Sequence, residues 1–564
     1  MYNEEYIEYI NSLHNYNAQN PNSYGEKNVN NSFFKNVMVE VGLSKFILNG
    51  LQNGVPHVLV LTGHAGDGKT SIMYQVLAEM GIEFDPDTKI SDYKLPSGKT
   101  CRCIKDFSEI ADEEKKNVLS DALQMPNNGD FVFMVANTGP LINTFGELFD
   151  SSEDSERAKI ELIDSMDSNT GNISDIKGYK ICVINVAAVD NTYFATEFIG
   201  KLVQDKLWDD CSQCPKKDYC YIKANRELIK NNFQRVSEFL NMHYIWLTEH
   251  GKRLTIRSMT EQLAYMITGG FNCNEVSMVE PYKYLFTNLF FGYVGTIVNP
   301  KAYNIIAVKE AANCGYDSKR LRSDEYFVVN RDYNKVFSKT MAKIITDAEQ
   351  KNVYVSGWTE FLRRAYLFTN IETDLCILDN NYEDVFSKQF KRFLQLRNGE
   401  SSPSRTDSNL VCDALSMIYL GTTNNESMIP LTLSRESGIA QNVQLITGTL
   451  LTKNIKIVLK PTKDSLFNSD KTRNALKLEI NKEELQSEIT LLLLNYFEEL
   501  KNGIISTNVD PQLSHGIESL KAELSKLMED TDDTFEMIIL RNSGAKPVSL
   551  EITEDGKLEN CRRR

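Results

Sequence analysis

The chain has 564 residues, 41% hydrophobic and 25% charged, a balance that excludes disorder and suits several globular domains. Its formal net charge of -15 argues against non-specific coating of DNA by the isolated chain, though not against a local basic groove or a DNA-binding partner. No apolar run approaches the ~20 residues of a membrane helix, and the start lacks the pattern of a secretory signal, so the expectation is a cytoplasmic protein with reduced cysteines and no membrane partner.

Residues 1–30, rich in Asn and Tyr, read as a loosely ordered lead-in. Apolar spacing predicts helix over 33–41 and 46–48. The run 56–62 reads as a buried strand and 71–77 as a helix. Between them Gly63-His64-Ala65-Gly66-Asp67-Gly68-Lys69-Thr70 spells G-x-x-x-x-G-K-T. Three glycines permit dihedrals that other residues adopt only at a cost. The loop amides then face an anion, reinforced by the helix N-terminus. Lys69 would reach the outer phosphates of ATP, and Thr70 would hold Mg²⁺ through its hydroxyl. Gly63, Gly66, Gly68 and Ser71 complete the nucleotide-binding set, with His64 at a variable position.

Farther on, 100–105 reads as a strand ending at Asp106 and 113–123 as an amphipathic helix. A strongly apolar strand, 131–136, ends at Asn137-Thr138-Gly139. The acidic stretch 151–178 reads as a loop with one short helix, and 180–186 as another buried strand. Apolar strands alternating with helices predict a parallel sheet covered on both sides. Past 200 a cysteine cluster leads into helical patterns. The stretch 398–404 has linker composition; 443–446 and 455–459 alternate as strands; 482–500 reads as a helix and 535–540 as a final strand. The expected domains are a lead-in (1–30), a nucleotide-binding core (31–205), a cysteine knuckle and helical lid (206–292), a helical middle (293–400) and an α+β C-terminal domain (401–564).

Asp106, at a strand's C-terminal edge, would order the Mg²⁺ water shell, and Glu109 would polarise the attacking water. The alternative is that both cap the helix that begins nearby. Asn137 would hydrogen-bond the γ-phosphate or the water, or simply close an Asn-Thr-Gly-Pro turn. Arg257 opens a helix in the lid region and would contact the nucleotide; the alternative is a solvated or ion-paired arginine. Cys211, Cys214 and Cys220 have the spacing of a structural zinc knuckle, with Cys273 or His243 as fourth ligand. A cysteine-rich loop without an ion is the other reading. Lys319, Arg320, Arg322 and Arg331 are the nearest candidates for a local basic groove.

The order of these motifs, from Leu61-Thr62-Gly63 through Lys69-Thr70, Lys105-Asp106-Phe107-Ser108-Glu109 and Val135-Ala136-Asn137 to the cysteine cluster, Leu254-Thr255-Ile256-Arg257 and Thr268-Gly269-Gly270-Phe271-Asn272-Cys273, resembles the DptF (DndF) family of DNA phosphorothioation-dependent restriction proteins. The resemblance implies a P-loop NTPase subunit of a bacterial anti-phage complex, acting with DptG- and DptH-like restriction subunits on DNA that lacks a sulfur-modified backbone. It implies an ATP site at Gly63, Gly66, Gly68, Lys69 and Thr70, and favours Cys273 as the fourth metal ligand. DNA would be met through the complex, and an oligomer is compatible with the reading. The expected fold is an α/β P-loop NTPase core of AAA+/STAND-like type, followed by a mostly helical middle and an α+β C-terminal domain. The rival readings are a STAND-like signalling ATPase whose output is oligomerisation, and a non-hydrolysing nucleotide-bound scaffold.

Overall fold

Contacts divide the computed structural model into two units: Met1–Thr248 with Lys252–Val385 and Lys463–Lys471, and Glu249–Gly251 with Phe386–Thr462 and Thr472–Arg564. The structure describes residues 4–16, 31–83, 85, 87–278, 280–352, 356–371, 382–422, 427–432, 443–462, 467, 473–504, 509–526, 534–541, 544–552 and 557–561. The remainder of the 1–30 lead-in and the closing arginines 562–564 lie outside the described residues.

The first unit opens with α1 (Glu4–Ser12) and α2 (Gly42–Asn53), followed by β1 (Val58–Thr62) and α3 (Lys69–Glu79). Then come β2 (Ile90–Lys94), β3 (Thr100–Ile104), α4 (Asp112–Gln124), β4 (Phe131–Val135), α5 (Thr138–Gly146) and α6 (Ser152–Ser168). β5 (Ser174–Ile176) and β6 (Tyr179–Asn185) close the sheet, whose order is β2-β3-β4-β1-β6-β5. Successive strand residues face opposite layers. Leu59, Leu61, Phe133, Val135, Cys182 and Ile184 pack with α2 and α3. Val58, Val60, Val132, Met134, Ile181 and Val183 pack with α4, α5 and α6. Both faces are therefore covered, which is why these strands read as uninterrupted apolar runs. Burying a ring such as Phe133 contributes about 2–3 kcal/mol.

The sheet is mixed rather than wholly parallel. β3, β4, β1 and β6 run parallel, while β2 and β5 pair antiparallel at the edges. The connections β2–β3 and β5–β6 are too short for a crossover and can only reverse the chain. Residues 152–168 form one long helix, not a loop with a short one: Ser151 caps it, and Ala158, Leu162 and Met166 give it a buried stripe at four-residue spacing. The lead-in is ordered over α1, where Tyr6, Ile7, Tyr9 and Ile10 are buried.

α7 (Phe194–Leu202), α8 (Tyr221–Asn231), α9 (Phe233–Glu249) and α10 (Ile256–Thr268) follow, then a ribbon of β7 (Tyr293–Val294) and β8 (Ile297–Val298). The middle is helical, with α11 (Ile306–Asn313), α12 (Lys339–Asn352) and α13 (Trp358–Thr369). The buried Arg363 there bonds Asp324 through Nε at 3.1 Å and Nη2 at 2.6 Å.

The second unit begins with α14 (Lys388–Arg397) and α15 (Arg405–Leu420), and 398–404 is the turn between them. β9 (Met428–Thr432) and β10 (Val443–Leu451) precede β11 (Ile455–Pro461), β12 (Asn474–Ile480) and β13 (Glu483–Glu488). α16 (Leu491–Lys501), α17 (Pro511–Ser525), β14 (Thr534–Arg541), β15 (Gly544–Ile552) and β16 (Leu558–Cys561) complete it. The sheets are β16-β15-β14-β10-β9 and β11-β12-β13. The predicted helix 482–500 is thus a strand and a shorter helix. Asn481 and Lys482 take positive φ (54° and 73°), turning the chain so that β13 pairs with β12. Among the described residues no helix is long and apolar enough to cross a membrane.

Candidate functional site

Parallel pairing aligns the C-terminal ends of β3, β4, β1 and β6. Leu61 stands opposite both Val135 and Ile184, and Ile104 opposite Met134. The residues that follow these strands therefore converge at one edge of the sheet. After β1 comes the glycine-rich loop, where Gly66 and Gly68 take φ of 91° and 84°. A Cβ on Gly66 would also stand 3.0 Å from the Arg257 Cβ. Gly68 N-caps α3, so the N–H groups of Lys69, Thr70 and Ser71 have no carbonyl partner inside the helix.

Lys69 Nζ is drawn inward, donating to the carbonyls of Gly63 (3.0 Å) and His64 (2.9 Å) and to Asn137 Oδ1 (3.4 Å). Burial pulls this ammonium below its ordinary value, opposed by the charges of Asp67 and Asp106. Asp106 follows β3 and caps the next turn, its Oδ1 accepting from Ser108 N–H at 2.8 Å. Ser108 Oγ in turn accepts from Asn137 N–H at 3.1 Å. Thr62 and Thr138 join through their hydroxyls at 2.8 Å. Asp106 thus caps the 3₁₀ turn over Phe107–Glu109, whereas α4 is preceded by Ala111 with no side-chain cap, and Asp106 also lines a cavity.

That cavity, about 220 Å³, is bordered on its polar side by Gly66, Gly68, Lys69, Thr70, Ser71, Asp106, Asn137 and Arg257. Apolar wall is supplied to the same cavity by Tyr9, Leu13, Phe34, Val39, Phe194 and Phe198. Gln75 shapes that wall: its Nε2 donates to Val39 O (2.8 Å), and its Oε1 accepts from Val41 N–H (3.3 Å) and Ser44 Oγ (2.7 Å). Glu109 is exposed and does not line the cavity.

Comparison with family models, with curated proteins and with solved structures finds no match to this chain.

Three features of the site went unread in the sequence. One is the apolar wall, to which the lead-in contributes Tyr9 and Leu13. Another is Arg253, whose Nη1 donates to Asp67 Oδ1 at 2.9 Å. The third is Glu261, one turn beyond Arg257 in α10, where Asn15 Nδ2 donates to its Oε1 at 3.0 Å. Burial pushes the Glu261 carboxyl up to about 7, against the opposing charge of Arg257. A carboxyl raised by folding stabilises the fold fully below its ordinary value, and that contribution is lost as pH rises through the folded value. Glu261→Gln is therefore expected to flatten the fall in urea-unfolding stability between about pH 5 and 8. An unchanged slope would show that Glu261 does not hold the proton.

The four cysteines come from two stretches of the first unit. Cys214 N–H donates to Cys211 O at 3.4 Å in a tight turn, and Cys220 precedes α8. Lys216 Nζ donates to Cys273 O at 2.9 Å, tying the stretches together. Burial pushes the Cys273 thiol up to about 12, with further upward pressure from Cys220, Cys211 and Cys214. The bond from Lys216 places Cys273 beside the 211–220 stretch. His243 sits instead in an aromatic cluster, bonded through Nδ1 to Tyr316 Oη at 3.1 Å and stacked beside Phe239. Among the described residues no three of His, Cys, Asp and Glu stand together as a formed metal cluster.

Proposed function

We propose that the first unit binds Mg²⁺·ATP in this cavity, in the manner of a P-loop NTPase of AAA+/STAND-like type, and that the chain is the nucleotide-driven subunit of a DNA phosphorothioation-dependent restriction complex. The observation that carries the nucleotide reading is that Lys69, Asp106, Asn137 and Arg257, from four separate segments, border one cavity that is also lined by apolar side chains. The polar side suits a triphosphate and the apolar side a base. Lys69 would hold the outer phosphates and Thr70 the cation; Asp106 would orient the cation's waters. Asn137, already bonded to Lys69, would meet the γ-phosphate, as would Arg257. Mg²⁺ supplies neutralisation of the charge shared by the β- and γ-phosphates. Contacts made only to the γ-phosphate would let nucleotide state bias the helix that carries Arg257.

The complex is proposed on the resemblance to DptF. DNA contact through DptG- and DptH-like partners accords with the engagement of three of the middle's four candidate basic residues, Arg320 being exposed. Arg322 pairs with Glu383 (3.4 Å) and Asp384 (3.6 Å), and Arg331 with Glu349 (3.3 Å). Lys319 donates to Val385 O at 3.0 Å. Titration of the full chain with Mg²⁺·ATP in a calorimeter tests the nucleotide reading, and the absence of binding heat together with the absence of a thermal shift would refute it. Copurification with DNA-acting partners tests the complex.

The position of Glu109 favours a second reading, a switch that holds nucleotide and turns it over slowly without its partners. Glu109→Gln is expected to leave ATP affinity and turnover within about twofold of native, the ordinary effect of an exposed substitution. A large loss of turnover would put Glu109 into the mechanism.

A further inference from the structure

Asp67 puts a carboxylate inside a loop suited to an anion, and its side chain is 0% exposed. A buried charge persists only when paired and hydrogen-bonded. Asp67 Oδ2 accepts from His64 N–H at 2.9 Å, shaping the loop from within. Its Oδ1 accepts from Arg253 Nη1 at 2.9 Å. Arg253 Nη2 reaches two carbonyls just past β6, those of Val186 (3.3 Å) and Val189 (3.4 Å). The residues after Arg253 hold to the same place. Asn191 Nδ2 donates to Leu254 O at 3.0 Å, Thr255 caps α10 through Ser258 N–H at 3.2 Å, and Arg257 N–H donates to Gly66 O at 3.0 Å. The segment 253–257 therefore joins the loop, the end of β6 and the helix that presents Arg257.

We propose that Arg253 is a positioning residue for nucleotide, acting through Asp67. Its guanidinium neutralises the carboxylate that shapes the loop, so the loop keeps its form without repelling phosphate. The proposal rests on the nucleotide reading of the cavity. Arg253 does not line the cavity, so its influence reaches the ligand through charge and loop shape alone. Two consequences follow that differ in sign. Without the guanidinium, the buried Asp67 carboxylate, which does not itself line the cavity, is left uncompensated inside the loop that would hold the phosphates. Removing that charge as well relieves the repulsion. Residues that acted on the ligand independently of one another would behave otherwise, the two lesions adding.

The test is Mg²⁺·ATP binding by the full chain, measured by calorimetry for the native protein, Arg253→Gln, Arg253→Lys, Asp67→Asn, the double Arg253→Gln/Asp67→Asn and Lys69→Ala. Arg253→Gln is expected to weaken binding about tenfold or more, with Arg253→Lys in between. The double variant is expected to bind more tightly than Arg253→Gln alone. Asp67→Asn removes the negative charge and keeps one acceptor, for His64 N–H, while giving up the one that meets Arg253; it is expected to bind as tightly as native, and this judges the proposal even if the arginine variants fail to fold. Native affinity in Arg253→Gln, a double variant weaker than the single, or a weakened Asp67→Asn overturns the proposal. Native protein that binds no ATP, or Lys69→Ala that binds as well as native, removes the nucleotide reading and the proposal with it. Native binding lost in Lys69→Ala but untouched in Arg253→Gln removes the proposal alone.

Discussion

Lys69→Ala is expected to weaken Mg²⁺·ATP binding roughly 100-fold or more, about 3 kcal/mol, the scale of a buried charge-assisted contact. The side chain is already sheltered and aimed across the loop, donating to Gly63 O and His64 O at 3.0 and 2.9 Å. In binding, the ammonium would exchange carbonyl partners for phosphate oxygens with little reorganisation. Alanine also removes the donor those carbonyls use, so the free protein must be checked separately. A melting curve without nucleotide reports that structural cost, and the additional shift on adding ATP reports binding. Asp106→Asn separates another pair of roles. Asparagine caps a turn about as well as aspartate, so the bond to Ser108 N–H survives while the charge is lost. The variant is expected to keep most ATP affinity and to lose Mg²⁺-dependent turnover. If Lys69→Ala leaves the calorimetric affinity unchanged, the loop does not hold phosphate.

What could be read from the sequence was local. The order strand, glycine loop, helix lies in one continuous stretch, and each buried strand announces itself as an apolar run because helices cover both faces. What escaped reading depends on distant partners or on context overriding propensity. Arg253 and Asp67 are 186 positions apart, and nothing in either neighbourhood marks them as a pair. Tyr9 of α1 was visible, but the cavity wall it joins exists only after α3 and α7 are in place. The run Glu483-Glu484-Leu485-Gln486-Ser487-Glu488 has helix-forming composition, yet pairing with β12 makes it a strand. In α6 the abundance of acidic residues hid a three-residue buried stripe. The edge strands were hidden for a related reason. β2 alternates weakly because only one of its neighbours is a strand, and its exposed residues carry charge.

Replacing Cys214 by Ser is expected to release about one Zn²⁺ per chain and to lower stability by roughly 3–5 kcal/mol, if the four cysteines hold the metal proposed for them. Cysteine sulfurs are the donors that suit zinc, and four of them would close a tetrahedral shell with no position for catalysis. Two stretches must meet for this, and the bond from Lys216 Nζ to Cys273 O (2.9 Å) holds them together. Besides burial, Cys220, Cys211 and Cys214 press the Cys273 thiol upward, a conflict that a bound cation resolves. A site of this kind would brace the approach to α8 against the turn after α10, the helix that carries Arg257 into the cavity. Cys273→Ser is expected to lose zinc as Cys214→Ser does. His243→Ala is expected to keep it and to lose stability for another reason, the vacated space beside Phe239 and Tyr316. Elemental analysis of protein purified without added zinc, paired with urea unfolding, separates these cases. A zinc-free native chain with unchanged stability in Cys214→Ser would leave the cysteines as an ordinary turn. Zinc retained in full by Cys273→Ser would require a fourth ligand from elsewhere in the chain.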